Sequence, residues 1–446
     1  MITFAHLRRT IISAAILGQI VVAPGARAQG TFPAPERRKM QDILDLVRKQ
    51  IDQKYYDSTF RGVNMRANYD SASAHIRDAI SPDAALGAVA WYALQLNDSH
   101  TFFVPPSQTV SVEYGWNMAM MGDTCVVIEV NPASDAARQG VHVGDQLLSV
   151  NGFVPARDNL WQMNYVYRVL RPQPSLHVVM RTRGGAAREL NLAAKVKERS
   201  KIIDLTGADG GRDLGQLIRD GERNTDRYRG LSLDVSGQVI VWKMPTFELP
   251  LDEVRDVIGK ARNRKALVLD LRGNGGGYVA AMLELVKQVD RDSVVIGTVQ
   301  ERRKLSPLVA KGGGNKAFTG ELYVLVDSRS ASASELFARA MQLSGRGKVI
   351  GDHTAGAVME ALYYPMSIGM ETRMLFGVQV TNADIVMADG GRLERTGVTP
   401  DELLLPTTAD VADSRDPILA RAITLAGVPI DAVKAGQLYP RKGQAH

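Results

Sequence analysis

The sequence predicts an α/β protein built from several domains, and three observations carry that prediction. From about residue 231 onward, short apolar runs at 238–242, 265–271, 322–327 and 348–351 alternate with helical patterns, as buried strands do in a layered α/β core. Residues 110–197 instead show strand spacing throughout, and the segment before them shows helical spacing. The length of 446 residues suits roughly two to four domains. Apolar residues at 45% and charged residues at 23% are ordinary for a globular chain, which excludes wholesale disorder, collagen and a polytopic membrane protein.

The first element is an export signal over residues 1–28. Arg8 and Arg9 precede an apolar run at 11–23, and Ala26-Arg27-Ala28 supplies the small residues of a cleavage site before Gln29. The run is shorter than the roughly 20 apolar residues of a membrane anchor, so no stable anchor is expected, and export by the general or the twin-arginine route stays open. The expected location is periplasmic or secreted. Cleavage removes three arginines and no acid, taking the formal charge from +6 to +3. With no run of five basic residues, nothing marks a nucleic-acid partner. Cys125 is the single cysteine, so no internal disulfide is available, and its flank Val126-Val127-Ile128 reads as a buried strand.

Residues 31–109 form a helical domain. Met40, Ile43, Leu44, Val47 and Ile51 recur at helical spacing, and Ser81-Pro82 starts a second helix reaching about Leu96, before Asn97-Asp98-Ser99-His100-Thr101. Strands at 125–130, 146–150 and 177–180 then define a β domain over 110–197, with a short helix at 134–139 closed by Gly140. A polar connector covers 198–230, the α/β core 231–406, and a helical tail 407–446, with Ile418, Leu419 and Ala422 on one face.

Two loops of the core could carry chemistry. Strand 266–271 runs into Arg272-Gly273-Asn274-Gly275-Gly276-Gly277 ahead of a helix, where glycines let amides face a ligand. A phosphate loop is the competing reading, but the Lys-Ser/Thr of a P-loop is missing. Strand 322–327 runs into Ser328-Arg329-Ser330-Ala331-Ser332-Ala333-Ser334-Glu335 and a helix. There Ser332 or Ser334 with Glu335 caps the helix, or Ser332 is a nucleophile placed at the positive helix end. No histidine, cysteine or carboxylate group has metal-ligand spacing, and no cofactor is expected.

The segment Pro132-Ala133-Ser134-Asp135-Ala136-Ala137-Arg138-Gln139-Gly140-Val141 with Gly144-Asp145-Gln146-Leu147-Leu148-Ser149-Val150-Asn151-Gly152 resembles a PDZ domain. Tyr114-Gly115-Trp116-Asn117 stands where a PDZ carboxylate-binding loop would, so peptide binding is expected there, with a spacer or a cap over the active site as the alternative. Asp270-Leu271-Arg272-Gly273-Asn274-Gly275-Gly276-Gly277, the Ser330–Glu335 stretch, Val349-Ile350-Gly351-Asp352-His353-Thr354-Ala355-Gly356 and Glu394-Arg395-Thr396-Gly397-Val398-Thr399-Pro400-Asp401 occur in order. Together they resemble the C-terminal processing (tail-specific) peptidase family, which implies a crotonase- or Clp-like spiral peptidase core.

The resemblance implies that Ser332 is the nucleophile and that the amides of Gly277 and Ala333 form the oxyanion hole. The lysine of the processing peptidases is missing: its position is Ala357, and the position of their glutamine is Ala361. The tricorn-like branch uses a Ser-His pair and a glutamate instead, and Ser99, His100 and Glu394 match it. The implied set is Ser332 as nucleophile, His100 as general base, Ser99 and Glu394 orienting it. His353 is the alternative base, whereas His75, His142 and His177 read as surface or core residues. The implied function is an exported serine peptidase acting on unfolded or extended protein segments, C-terminal ones among them. A catalytically silent ligand- or peptide-binding relative and a PDZ adaptor are the alternatives, and the oligomeric state is left open.

Overall fold

The computed structural model describes residues 32–106, 110–198, 231–369 and 373–439. The export signal at 1–28 and nearly all of the connector at 198–230 lie outside them. Three helices open the described residues: α1 (Ala34–Lys54), α2 (Met65–Asp78) and α3 (Pro82–Leu94). The helical spacing of α1 is realised, since Met40, Ile43, Leu44, Val47 and Ile51 form its buried face. α3 begins as expected at Ser81, whose hydroxyl accepts from Ala84 N, with Pro82 in the first turn. α2 was not foreseen because it buries only Met65, Ala72 and Ile76, too sparse a stripe to show in the sequence.

Strand β1 (Phe102–Val104) follows, fully buried. Next comes the β domain: β2 (Val110–Glu113), β3 (Trp116–Met121), β4 (Thr124–Val130), helix α4 (Asp135–Arg138), β5 (Gln146–Val150), helix α5 (Leu160–Tyr165), β6 (Ser175–Arg181), β7 (Ala187–Ala193) and β8 (Lys195–Glu198). Strands β3 to β7 form one sheet in sequence order, and β2 pairs antiparallel with β8. That two-stranded ribbon brings the entry and exit of the module side by side, so it can be inserted without separating the parts that flank it. Cys125 is buried on β4, and burial pushes its thiol up to about 12, which leaves it an inert core residue.

The core comprises β9 (Leu231–Val235), β10 (Val239–Lys243), α6 (Leu251–Ala261), β11 (Ala266–Asp270), α7 (Val279–Val289), β12 (Val294–Glu301), β13 (Lys304–Ala310), β14 (Glu321–Val326), α8 (Ala333–Leu343), β15 (Lys348–Gly351), β16 (Met359–Ile368), β17 (Met374–Met387) and β18 (Glu402–Leu403). One six-stranded sheet has the order β18-β15-β14-β11-β10-β9 and is parallel except for β9. Leu267 and Leu269 of β11 pack on α6, α7 and α8, while Ala266 and Val268 face the tail. The tail is helical, as expected: α9 (Thr408–Ala412), α10 (Pro417–Leu425) and α11 (Ala432–Gln437). Ile418, Leu419 and Ala422 bury against the second face of the sheet, which explains why a central parallel sheet reads as continuous apolar runs.

A second sheet, β1-β17-β12-β13 with β16 paired to β17, joins the strand after the helical domain to the core. β1 pairs antiparallel with β17, Phe102 opposite Gln379. Residues 99 and 100, just ahead of β1, are thereby fixed near the core loops.

Candidate active site

The loops after β11, β14 and β15 emerge at the carboxyl ends of parallel strands, where open α/β sheets place their sites. Ser332 sits at the turn between β14 and α8 with φ 55° and ψ −118°, a conformation rare for any residue but glycine. The flanking serines are consumed by structure. Ser330 Oγ donates to Leu271 O at 2.8 Å and Ser334 Oγ to Asn274 O at 2.9 Å, and both are fully buried, whereas Ser332 is partly exposed.

The glycine loop is pressed against this turn. A Cβ on Gly276, φ +99°, would lie 2.7 Å from Ser332 Cβ, and one on Gly277, φ +141°, would lie 2.6 Å from Glu248 N, so neither position can carry a side chain. Asn274 organises the loop: its Oδ1 accepts Gly276 N, its Nδ2 donates to Met244 O, and its own carbonyl accepts Ala331 N. The amides of Gly277 and Ala333 have no acceptor among the described residues. Two unpaired donors beside one serine can hold a developing oxyanion.

Across the site, Ser99 Oγ donates to Glu394 Oε2 at 2.8 Å and lies 2.6 Å from His100 Nδ1, while Ser99 N donates to Glu394 Oε1 at 2.8 Å. An ionised carboxylate only accepts, so the Ser99 proton points at Glu394 and the Ser99 oxygen must accept from His100 Nδ1–H. The neutral imidazole then carries its lone pair on Nε2. Glu394 is buried and also accepts Val358 N at 2.9 Å; Ala357, the residue before, accepts Ser332 N at 3.0 Å through its carbonyl. Consecutive residues of one segment therefore hold the serine turn and the Glu394–Ser99–His100 line.

Sequence reasoning missed the groups that set these side chains in place. Asp98 Oδ1 accepts His100 N at 3.0 Å, Thr101 N at 2.6 Å and Thr381 Oγ1 at 3.0 Å, which ties the His100 turn to β17. Only the short Asp-Ser-His-Thr string hinted at it, since Thr381 is far away in the chain. His353, the alternative base, keeps its ring Nδ1 3.8 Å from Asp352 Oδ1 and its carbonyl on Arg157. The β domain meets the core there: Asp352 accepts Gly122 N at 2.9 Å and pairs with Arg157, and Ser328 Oγ donates to Met120 O at 2.6 Å. Arg395 adds a bond to Asn97 O at 3.1 Å and stacks over Trp161, so all three parts of the chain reach the site.

Of the expected peptide-binding residues, Tyr114 is buried with its hydroxyl on Tyr167 O, and Gly115 O accepts Asn131 N. Trp116 and Asn117 begin β3, the first strand of its sheet, where Arg168 donates to Asn117 Oδ1 at 2.7 Å. A cavity of about 20 Å³ lies beside them, lined by Trp116, Met118 and Leu176 among others. No group of three or more metal-ligating side chains occurs among the described residues.

Residues 239–404 match the model of peptidase family S41, and residues 109–163 match the PDZ domain. The chain thus carries a serine-type peptidase core similar to family S41 and a PDZ domain, as the ordered motifs led one to expect. A tail-specific protease of Haemophilus influenzae is 26% identical over 325 residues, spanning 68% of this chain and 43% of its own length. A chloroplastic C-terminal processing peptidase of Tetradesmus obliquus is 24% identical over 375 residues, 80% of this chain and 76% of its own. The chain thus spans less than half of the first relative and about three quarters of the second. The crystal structure of mature CPAF superposes with a TM-score of 0.64 at 14% identity, over 85% of this chain and 95% of that one, a likeness of fold.

Proposed function

We propose that this protein is an exported endopeptidase that cleaves unfolded or extended protein segments by acyl transfer, with Ser332 as nucleophile and His100 as general base. His100 Nε2 takes the Ser332 hydroxyl proton as Oγ attacks the scissile carbonyl, and the amides of Gly277 and Ala333 receive the oxyanion. The imidazolium returns its proton to the leaving amine, and water then releases the acyl group by the same steps. Glu394 offsets the imidazolium charge through Ser99 and holds the tautomer that the base needs.

The observation that carries the reading is the Ser99 bridge, 2.8 Å to Glu394 and 2.6 Å to His100 Nδ1, which engages Nδ1 and puts the proton-accepting lone pair on Nε2. A binding protein would have no use for that arrangement beside two unpaired amides. The PDZ domain supplies the substrate surface: a peptide tail adds to the open edge of β3 with its carboxylate at Tyr114, Gly115, Trp116 and Asn117. The small cavity beside this edge holds about one water, so side-chain entry requires the groove to open. Export to the periplasm or medium is supported by the pattern of residues 1–28. No described helix is long and apolar enough to cross a membrane.

The test is labelling by a fluorophosphonate, followed by peptide mapping, alongside casein hydrolysis. Label on Ser332, abolished by Ser332→Ala together with hydrolysis, is expected. Hydrolysis that survives in Ser332→Ala would remove the proposal.

A further inference from the structure

Glu335 lies on the first turn of α8, three residues after Ser332, and is wholly buried. Its carboxylate accepts four hydrogen bonds: from Thr354 Oγ1 at 2.6 Å, Gly356 N at 2.8 Å, Ala357 N at 2.9 Å and Ser332 N at 3.0 Å. A capping box requires only the last of these. The other three reach across to the segment after β15. An ionised group buried without a cation is costly, so its retention asks for a purpose beyond capping a helix.

The purpose is visible in what the segment does next. Ala357 N is held by Glu335 and the adjacent Val358 N by Glu394. The Ser332 turn and the Ser99–His100 pair come from distant parts of the chain, and these two neighbouring amides and Ala357 O link them. We propose that Glu335 is a positioning residue for the peptidase reaction, holding the Ser332 turn in register with the Glu394–Ser99–His100 line through Gly356 and Ala357. The inference rests on the reading of Ser332 and His100 given above.

The same site makes the positioning sensitive to pH. Burial pushes the Glu335 carboxyl up to about 7, against the four hydrogen bonds that favour its ionised form. All the groups that face it are uncharged: Ser332 on its own turn, and Thr354, Gly356 and Ala357 opposite. The ionisable groups on the packed segments include Asp352 and His353 before Thr354, and Glu394 and Arg395, whose backbone N donates to Gly356 O. Asp352 is bound to Arg157 and Glu394 to Ser99. Protonation puts a hydrogen on an oxygen surrounded by donors, so one of the four bonds is lost or, at the Thr354 hydroxyl, reverses direction. The acid limb of activity then reports two protonations, at His100 and at Glu335.

The experiment measures kcat and KM on a fluorogenic peptide from pH 5 to 9 for the full chain and for Glu335→Gln, Thr354→Val and Thr354→Ser, with thermal melts as the control for folding. Glu335→Gln places an amide NH2 among donors and should lower kcat about 100-fold or more, with KM within about threefold and a cooperative melt. Thr354→Val removes one stabilising donor and should move the acid limb upward by about half a pH unit or more. Thr354→Ser should restore it; this control matters because the Thr354 hydroxyl also accepts Val398 N. Wild-type kcat in Glu335→Gln, or an acid limb unmoved in Thr354→Val, overturns the proposal. If Glu335→Gln fails to fold, the Thr354 pair decides. An inert Ser332→Ala with an unmoved Thr354→Val limb removes only the role of Glu335; an active Ser332→Ala removes the catalytic reading beneath it as well.

Discussion

Asp270 and Glu335 are two fully buried carboxylates near adjoining loops of one sheet, and they are held in opposite ways. Asp270 is surrounded by cations: Arg272 donates to both its oxygens at 2.9 and 2.7 Å, and Lys243 Nζ lies 3.3 Å away. Arg272 continues to Asp416 at 2.8 and 2.7 Å, the residue that caps α10. Burial opposes ionisation there, but the two cations win and hold the Asp270 carboxyl well below its usual range. Glu335 has only neutral donors, and burial wins. The difference teaches that compensating charge makes a pH-insensitive strut, which fastens the tail helices to the sheet, whereas a nest of amides leaves a carboxylate poised beside Ser332.

The largest effect expected on either side is at the nucleophile's line. His100→Ala should lower casein hydrolysis about 10³-fold or more, and adding Ser332→Ala should change little further, because members of one catalytic unit are not additive. Melting should be unaffected. A His100→Ala protein that still turns over at a tenth of the normal rate would place the base elsewhere.

Next comes the strut. Arg272→Met leaves Asp270 and Asp416 without their shared cation and should cost about 3–5 kcal/mol of stability, read from urea denaturation, with turnover per folded molecule kept within a few-fold. Unchanged stability would erase the distinction between the two carboxylates.

A smaller effect separates them by pH. The depressed Asp270 contributes stability above the unfolded carboxyl value, which is lost only as pH falls below about 4. The raised Glu335 works the other way: between about 4.5 and about 7 the folded chain keeps a proton that the unfolded chain has released, so stability falls as pH rises through that window. Comparing urea midpoints of the natural chain and Glu335→Gln at pH 5.5 and 8 should show the natural chain gaining relative to the variant at the lower pH. A gain at the higher pH would mean that the amide nest prevails over burial.

The smallest expected change is at His353. It lies at the PDZ seam with its ring towards Asp352, and His353→Ala should leave hydrolysis within about threefold, as surface changes away from a site usually do. A full loss there would restore the local Ser-His pair as the competing base.

What the sequence by itself determined was local. Apolar spacing marked α1, α3, the core strands and the helical tail, because burial of a helix stripe or a central strand leaves a period in the residues. Short strings such as Asp-Ser-His-Thr and the three glycines before α7 named the residues that the structure gathers around Ser332. The resemblance to a peptidase family rested on those strings, and the match to family S41 over 239–404 agrees with it. Tertiary structure alone decided the rest. α2 buries too sparse a stripe to show in the sequence, and the attachment of β1 to β17 depends on a partner distant in the chain. Glu335 looked like a helix cap because a capping box is a pattern of three residues' separation. That it also binds Thr354, Gly356 and Ala357 depends on how two loops pack, and hydrogen bonds between distant segments leave no spacing to read.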